Sequence, residues 1–316
     1  MKILVLGGDG FIGSHFADKA VLQGHDVTVF DRFTYGVSKN LEHQRDKVKF
    51  ISGEFANREQ LGKALEGQEI VYHFIWTTTP ATSWNDPFVE LETNLKASVQ
   101  LFDLAASLYI KKIVFPSSGG AIYGKQAEII TEKMLPSPFS PYGITKLATE
   151  YYLNYYREHS GIAIDVYRIG NAYGPRQSMD SPQGVLGVWM GKILKHEKIE
   201  VYGGAQAVRD YIYVEDIATL MLHSVNHPEL SDYYNVGSGE GRSVVELLDI
   251  VRNVIDDPFE YEVFSKRGFD NTKVVLDSSK LLSFFSGFEF QKMEDKIKET
   301  WLHIKEVHHF KKHICP

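Results

Sequence analysis

The sequence predicts an α/β protein: a doubly wound parallel sheet followed by a smaller C-terminal α/β lobe. Short apolar runs at 2–6, 27–31, 48–51, 70–74, 112–115 and 162–167 alternate with helical patterns, among them stretches near 57–66 and 87–109. Such alternation marks parallel crossover units, whose right-handed connections lay helices on both faces of one sheet. The first run ends in Gly7, Gly10 and Gly13, a spacing that turns a strand tightly into a helix. Past residue 171 the pattern loosens, glycine and proline rise around 174–187, and residues 239–316 read as helices mixed with short strands. With 316 residues and 43% hydrophobic content, the chain has material for one large domain or two intimate ones.

The opening segment, Lys2 to His15, reads as strand, turn and helix. Missing side chains at Gly7, Gly10 and Gly13 let a backbone approach a pyrophosphate, with Phe11 and Ile12 on the same turn and the helix N-terminus facing the anion. Val27–Phe30 forms the second strand and ends in Asp31, placed to accept hydrogen bonds from an adenosine ribose. A 2′-phosphate is repelled by that carboxylate, an effect the adjacent Arg32 offsets in part, so the residues favour NAD over NADP. Ligands of such sheets sit beyond the strand C-termini, which singles out Ile75–Thr79, Pro116–Gly120 and Gly170–Gly174. Tyr211–Val214 and Tyr233–Val236 are expected to return to the main sheet as strands.

A net charge of −7 disfavours a nucleic-acid partner, and no basic stripe interleaved with aromatics appears. Lys111–Lys112 and Lys311–Lys312 read as solvated flanks. Cys315 is the only cysteine, so no intrachain disulfide forms. The apolar run before Gly7 is too short for a signal peptide and no later stretch is long enough to span a bilayer, which predicts a cytoplasmic protein without a membrane partner. The histidines at 303, 308, 309 and 313 lie in a terminal segment lacking the carboxylate or cysteine geometry of a metal centre, so no metal is expected.

Tyr142 and Lys146 stand four residues apart in Ser140-Pro141-Tyr142-Gly143-Ile144-Thr145-Lys146, on one face of a helix. A lysine beside a tyrosine, with a nicotinamide cation nearby, favours the phenolate and suits the tyrosine to act as general base toward a sugar hydroxyl.

Together with the glycine turn, Ser117-Ser118-Gly119-Gly120-Ala121-Ile122-Tyr123-Gly124, the segment Arg168–Arg176 and the segment Val208–Asp216, these residues give a chain that, from residue 1 to about 280, closely resembles the extended short-chain dehydrogenase/reductases, in their nucleotide-sugar epimerase/dehydratase branch. The resemblance implies a Rossmann-type domain for NAD, residues 1–171 with about 207–238, and a nucleotide-sugar-binding lobe, about 172–206 with 239–316. It implies that Tyr142 takes the proton of the sugar 4-hydroxyl while Lys146 holds the cofactor ribose and tunes Tyr142. Asn171 matches a contact to the sugar nucleotide, Arg209 and Arg267 match arginines that neutralise the diphosphate, and Arg176 either salt-bridges locally or meets the nucleotide. Glu54 stands, beside Phe55, where relatives carry an aspartate that binds the adenine amine. Thr78 and its neighbours, Trp76 included, lie where the family's wall faces the sugar.

The chain departs from the family at Gly119, where relatives place a serine or threonine whose hydroxyl bonds the substrate oxygen; Ser118 is the expected substitute and Ser117 a weaker one. Dehydratases and decarboxylases of the family need a carboxylate one to three residues before Tyr123, and those positions hold Gly120, Ala121 and Ile122. Elimination is thereby demoted. The expected activity is C4 epimerisation of a UDP-hexose or UDP-N-acetylhexosamine with NAD, with a nucleotide-linked 4-keto-sugar reductase or a noncatalytic NAD or nucleotide-sugar sensor as alternatives. The resemblance also implies a homodimer through helices near 92–108 and 142–159.

Overall fold

A computed structural model of the protein describes residues 1–33, 38–125, 128–181, 184–202, 207–264 and 273–314. The chain opens with β1 (Lys2–Leu6), α1 (Phe11–Leu22), β2 (Asp26–Asp31), β3 (Val48–Ser52), α2 (Arg58–Leu65) and β4 (Ile70–His73). It continues through α3 (Pro80–Asn85), α4 (Pro87–Val89), a π-helical turn (Glu90–Leu95), α5 (Lys96–Ser107), β5 (Lys112–Ser118), α6 (Gly119–Ile122), α7 (Pro141–Ser160) and β6 (Ala163–Ile169). Then come β7 (Asn171–Tyr173), α8 (Val185–Leu194), β8 (Ile199–Val201), β9 (Val208–Tyr213), α9 (Val214–Met221), α10 (His223–Asn226), β10 (Asp232–Val236), β11 (Gly241–Ser243), α11 (Val244–Val254), β12 (Tyr261–Val263), β13 (Lys273–Val274), α12 (Ser279–Leu282) and α13 (Met293–Ile314).

Seven strands form the parallel sheet in the order β10-β6-β5-β4-β1-β2-β3. Its order reverses at β1 and β4, where a doubly wound sheet opens its ligand crevice. Phe16, Ala17 and Ala20 of α1 with Ile217 and Met221 of α9 cover one face of the sheet, and Leu61 of α2, Leu101 and Phe102 of α5 and Leu153 of α7 cover the other. The strands between them are buried on both sides, hence their unbroken runs of valine, isoleucine and leucine.

The structure differs from expectation at Tyr211–Val214. Tyr233–Val236 does join the main sheet, as β10 beside β6, with Tyr233 opposite Val166. With that edge taken, the chain leaves the sheet at Gly170, whose N–H donates to Val236 C=O at 2.8 Å. β9 therefore builds a second sheet with β7, β11 and β13. The predicted strand at 162–167 extends to Ile169, and the helical stretch at 87–109 is broken by the π turn.

Candidate active site

The cofactor end is built from β1, its turn and α1. Gly7 adopts φ 77°, a left-handed conformation that only glycine holds without strain, and its N–H donates to Phe30 C=O at 2.9 Å. A Cβ on Gly13 would lie 2.3 Å from the Gly7 carbonyl oxygen, so α1 packs on the turn only because residue 13 has no side chain. Gly10 caps α1 with no side-chain hydrogen bond, leaving the first-turn N–H groups, those of Phe11 and Ile12 included, for an anion. Asp31 accepts from Asp9 N–H at 3.0 Å and Arg32 N–H at 2.7 Å, and burial pushes its carboxyl above the ordinary range. Asp9 in turn takes Ser38 Oγ at 2.6 Å and the Asn40 N–H at 2.8 Å, drawing that segment onto the turn.

Beside it opens a cavity of about 350 Å³ lined by Arg32, Phe33, Ser52, Gly53, Glu54 and Gln60. Glu54 thus borders this cavity, next to the Asp31–Arg32 end of β2. Phe55 is buried instead, its ring 4.8 Å from that of His73, so its side chain belongs to the core.

The catalytic end gathers at the C-termini of β4 and β5. Ser140 caps α7 by accepting from Gly143 N–H at 3.2 Å, and Pro141 supplies the fixed φ that starts the helix. Tyr142 consequently sits in the first turn, its own N–H bonded to Ser83 Oγ at 3.2 Å, and Lys146 lies one turn on. Lys146 Nζ donates to Pro116 C=O at 2.9 Å and rests 3.7 Å from the centre of the Trp76 ring and 4.6 Å from that of Phe115. Burial lowers Lys146 to about 7, against the pull of Glu90 and Glu150.

Ser118, at the end of β5, lies on the Tyr142 side of the cleft, and its hydroxyl acts to lower the Tyr142 phenol against the effect of burial. Ser117 Oγ is buried without a partner among the described residues. Burial, then the charge of Glu90, raises Tyr142 well above the usual phenol range. A cation placed against the phenol acts the other way and favours the phenolate.

Gly119 has a packing cause. A Cβ there would lie 2.5 Å from Leu276 Cδ1 and 3.0 Å from Arg168 C=O. At Gly120, by contrast, the nearest atoms to an added Cβ are Asn171 Oδ1 at 3.8 Å and Ser118 Oγ at 3.9 Å, which puts the Asn171 amide on the same wall as Ser118.

Thr78 is buried, its Oγ1 donating to Glu90 Oε1 at 2.5 Å and accepting from Asn94 Nδ2 at 2.9 Å, so it has only acceptor capacity left. Arg209 lies on β9 opposite Arg242 of β11, bringing two guanidinium groups to neighbouring strands of the lobe. Arg176 Nη2 lies 2.7 Å from Asp18 on α1. Arg267 lies outside the described residues. Ser83, one of the neighbours of Trp76 expected on the sugar-facing wall, reaches the Tyr142 backbone instead, while Glu90, whose charge acts on Tyr142 from the segment before α5, is marked by no local motif.

The donors present fit NAD. The glycine cradle and the uncapped α1 terminus suit a pyrophosphate, and Asp31 and Lys146 suit the hydroxyls of two riboses.

Two solved structures share this architecture, and a third relative is similar in sequence. UDP-glucose 4-epimerase of Thermotoga maritima, solved with UDP-glucose, superposes with a TM-score of 0.88 at 31% identity, over 98% of this chain and all of that one (100%). UDP-glucose 4-epimerase of Thermus thermophilus, solved with NAD, gives a TM-score of 0.88 at 31% identity, over 96% and 99% of the two chains. The dTDP-4-dehydro-6-deoxyglucose reductase of Escherichia coli is 30% identical over 254 residues, 79% of this chain and 80% of the relative. The profile of the NAD dependent epimerase/dehydratase family matches residues 3–237, and on that match, with the glycine turn and the Tyr142–Lys146 pair in place, this chain belongs to that family.

Proposed function

We propose that the protein is a nucleotide-sugar 4-epimerase that acts on a UDP-hexose or UDP-N-acetylhexosamine by oxidising C4 and reducing it again from the other face. The observation that carries this is the buried Tyr142 phenol facing Ser118, with Lys146 one turn away and no acid on α6. NAD, when bound, supplies a hydride acceptor that becomes a donor in the second half of the cycle. Tyr142 Oη takes the proton as the 4-hydroxyl O–H bond breaks and the C4–H electron pair leaves as hydride. Ser118 donates to the same oxygen and steadies the 4-keto group. With the keto sugar turned over, a bound cofactor would return hydride to the opposite face of C4, and Tyr142 gives the proton back to the 4-oxygen, so protein and cofactor would end unchanged.

Lys146 and the glycine turn hold the cofactor, Asn171 meets the sugar nucleotide, and Arg209 with Arg267 neutralises the diphosphate. Homodimerisation is supported by the exposed Ile144, Tyr151, Tyr152 and Tyr155 along α7. No helix among the described residues is long and apolar enough to cross a membrane.

A second reading, reduction of a nucleotide-linked 4-keto sugar, uses the same residues and is favoured by the similarity to the reductase of Escherichia coli. Proton NMR of UDP- and dTDP-sugars with catalytic NAD, then of 4-keto sugars with stoichiometric reduced cofactor, separates the two. Inversion at C4 without cofactor loss supports the epimerase; turnover of keto sugars alone, with cofactor consumed, replaces it by the reductase. No turnover across the panel favours a sensor.

A further inference from the structure

Glu90 opens the π turn and is fully buried (0% exposed). Its Oε1 accepts from Thr78 Oγ1 at 2.5 Å and its Oε2 from Asn94 Nδ2 at 3.1 Å. No lysine or arginine among the described residues lies within ion-pair distance of it. A carboxylate withdrawn from water without an ion-pair partner is costly to keep. A π turn also shifts side chains out of the α-helical register, which is why such turns recur at functional sites. Here the turn packs against α7, and the Glu90 charge acts on Tyr142 and Lys146 together.

We propose that Glu90 is a positioning residue that makes proton removal by Tyr142 conditional on the oxidised nicotinamide ring. The proposal rests on the function above only in taking Tyr142 as the proton acceptor. The groups facing Tyr142 are Glu90 from the π turn, Ser118 from β5 and Lys146 from α7. Those facing Lys146 are Glu90, Glu150 one turn along α7, and His73 of β4, which burial holds neutral at about 3. In the free protein a negative charge beside a buried phenol disfavours the phenolate, so Tyr142 keeps its proton. A cation against the phenol opposes Glu90 and releases it. Once the hydride has moved that cation is gone, Glu90 acts unopposed, and the proton just taken stays on Tyr142 Oη until the hydride returns to C4. Thr78 and Asn94 serve by fixing the carboxylate.

The test is an ultraviolet tyrosinate titration of the full-length protein, free and saturated with NAD⁺ or NADH, in wild type, Tyr142→Phe, Glu90→Gln and Glu90→Asp. Subtracting the Tyr142→Phe curve isolates the Tyr142 band. In wild type we expect that band below pH 10 only with NAD⁺ bound. In Glu90→Gln it should move down by about one pH unit, and the ratio of NAD⁺ to NADH affinity, read by calorimetry, should fall about tenfold. Glu90→Asp keeps the charge on a shorter stem and should fall between; it carries the comparison should Glu90→Gln fail to fold. Variant curves superimposed on wild type in all three states overturn the proposal. Because the titration needs cofactor and no sugar, a shifted band alongside a silent sugar panel supports the role of Glu90 and removes the epimerase reading. C4 inversion with an unshifted band removes the role of Glu90 alone.

Discussion

Leu276 occupies the space that a side chain on residue 119 would need: its Cδ1 lies 2.5 Å and its Cδ2 2.8 Å from the position of a Cβ built on Gly119. The missing family hydroxyl is thus excluded by packing from the C-terminal lobe. Gly119→Ser is expected to destabilise the protein by about 1–3 kcal/mol through overpacking. Leu276→Ala alone is expected to cost about 2–5 kcal/mol, and the double variant clearly less than the sum, because the serine fills part of the cavity. Urea denaturation of the three variants measures this double-mutant cycle.

Removing the hydroxyls separates chemistry from binding. Tyr142→Phe is expected to lower the rate of C4 inversion by about 10²–10⁴-fold, the usual contribution of a positioned acid–base group. Ser118→Ala should cost roughly 10²-fold as a lost donor to the reacting oxygen. Calorimetry should find NAD⁺ bound by both variants within a few-fold of wild type.

Cofactor choice is expected to follow Asp31. Asp31→Asn keeps an acceptor for the Asp9 and Arg32 N–H groups while removing the charge that repels a 2′-phosphate, with Arg32 left in place. Affinity for NADP⁺ should rise about tenfold and that for NAD⁺ fall by less, on the scale of one charge interaction near a protein surface. Competition binding of the two cofactors reads the ratio.

Acid should weaken the fold through its buried imidazoles. Burial holds His15 at about 4 and His73 at about 3. An unfolded chain takes up protons on these groups near pH 6.5, whereas the folded one does not until much lower. Between those limits the unfolded state binds more protons, so this stability is fully present above about pH 6.5 and is lost as the pH falls. His73→Asn removes one such group, and its stability should depend less steeply on pH than that of wild type between pH 6.5 and 4, by up to about 1.4 kcal/mol per pH unit. Urea midpoints across that range provide the comparison.

The parallel sheet was legible because its evidence is local: apolar runs of strand length, helical spacing between them, and glycines where the backbone must turn. The same holds for Tyr142, Lys146 and the cap at Ser140, which lie within one helical turn or two of each other. What escaped depends on partners distant in sequence. β7 and β8 are 3 residues each, too short to declare which sheet they join, and the destination of β9 was decided by β10 taking the free edge beside β6. Nothing near Arg176 in sequence announces its ion pair with Asp18 on α1. The burial of Glu90 was invisible because it depends on a π turn, a change of helical register that spacing rules built on 3.6 residues do not anticipate.

The indole of Trp76, with the Lys146 ammonium 3.7 Å from its centre, also gives the protein an intrinsic optical probe. Reduced nicotinamide absorbs light at the wavelengths where indole emits, and oxidised nicotinamide does not. Energy transfer from Trp76 therefore reports the redox state of bound NAD, and subtracting the trace of Trp76→Phe removes the background from the other tryptophans, 84, 189 and 301. Reduction and reoxidation within a single turnover become visible in stopped flow without a label.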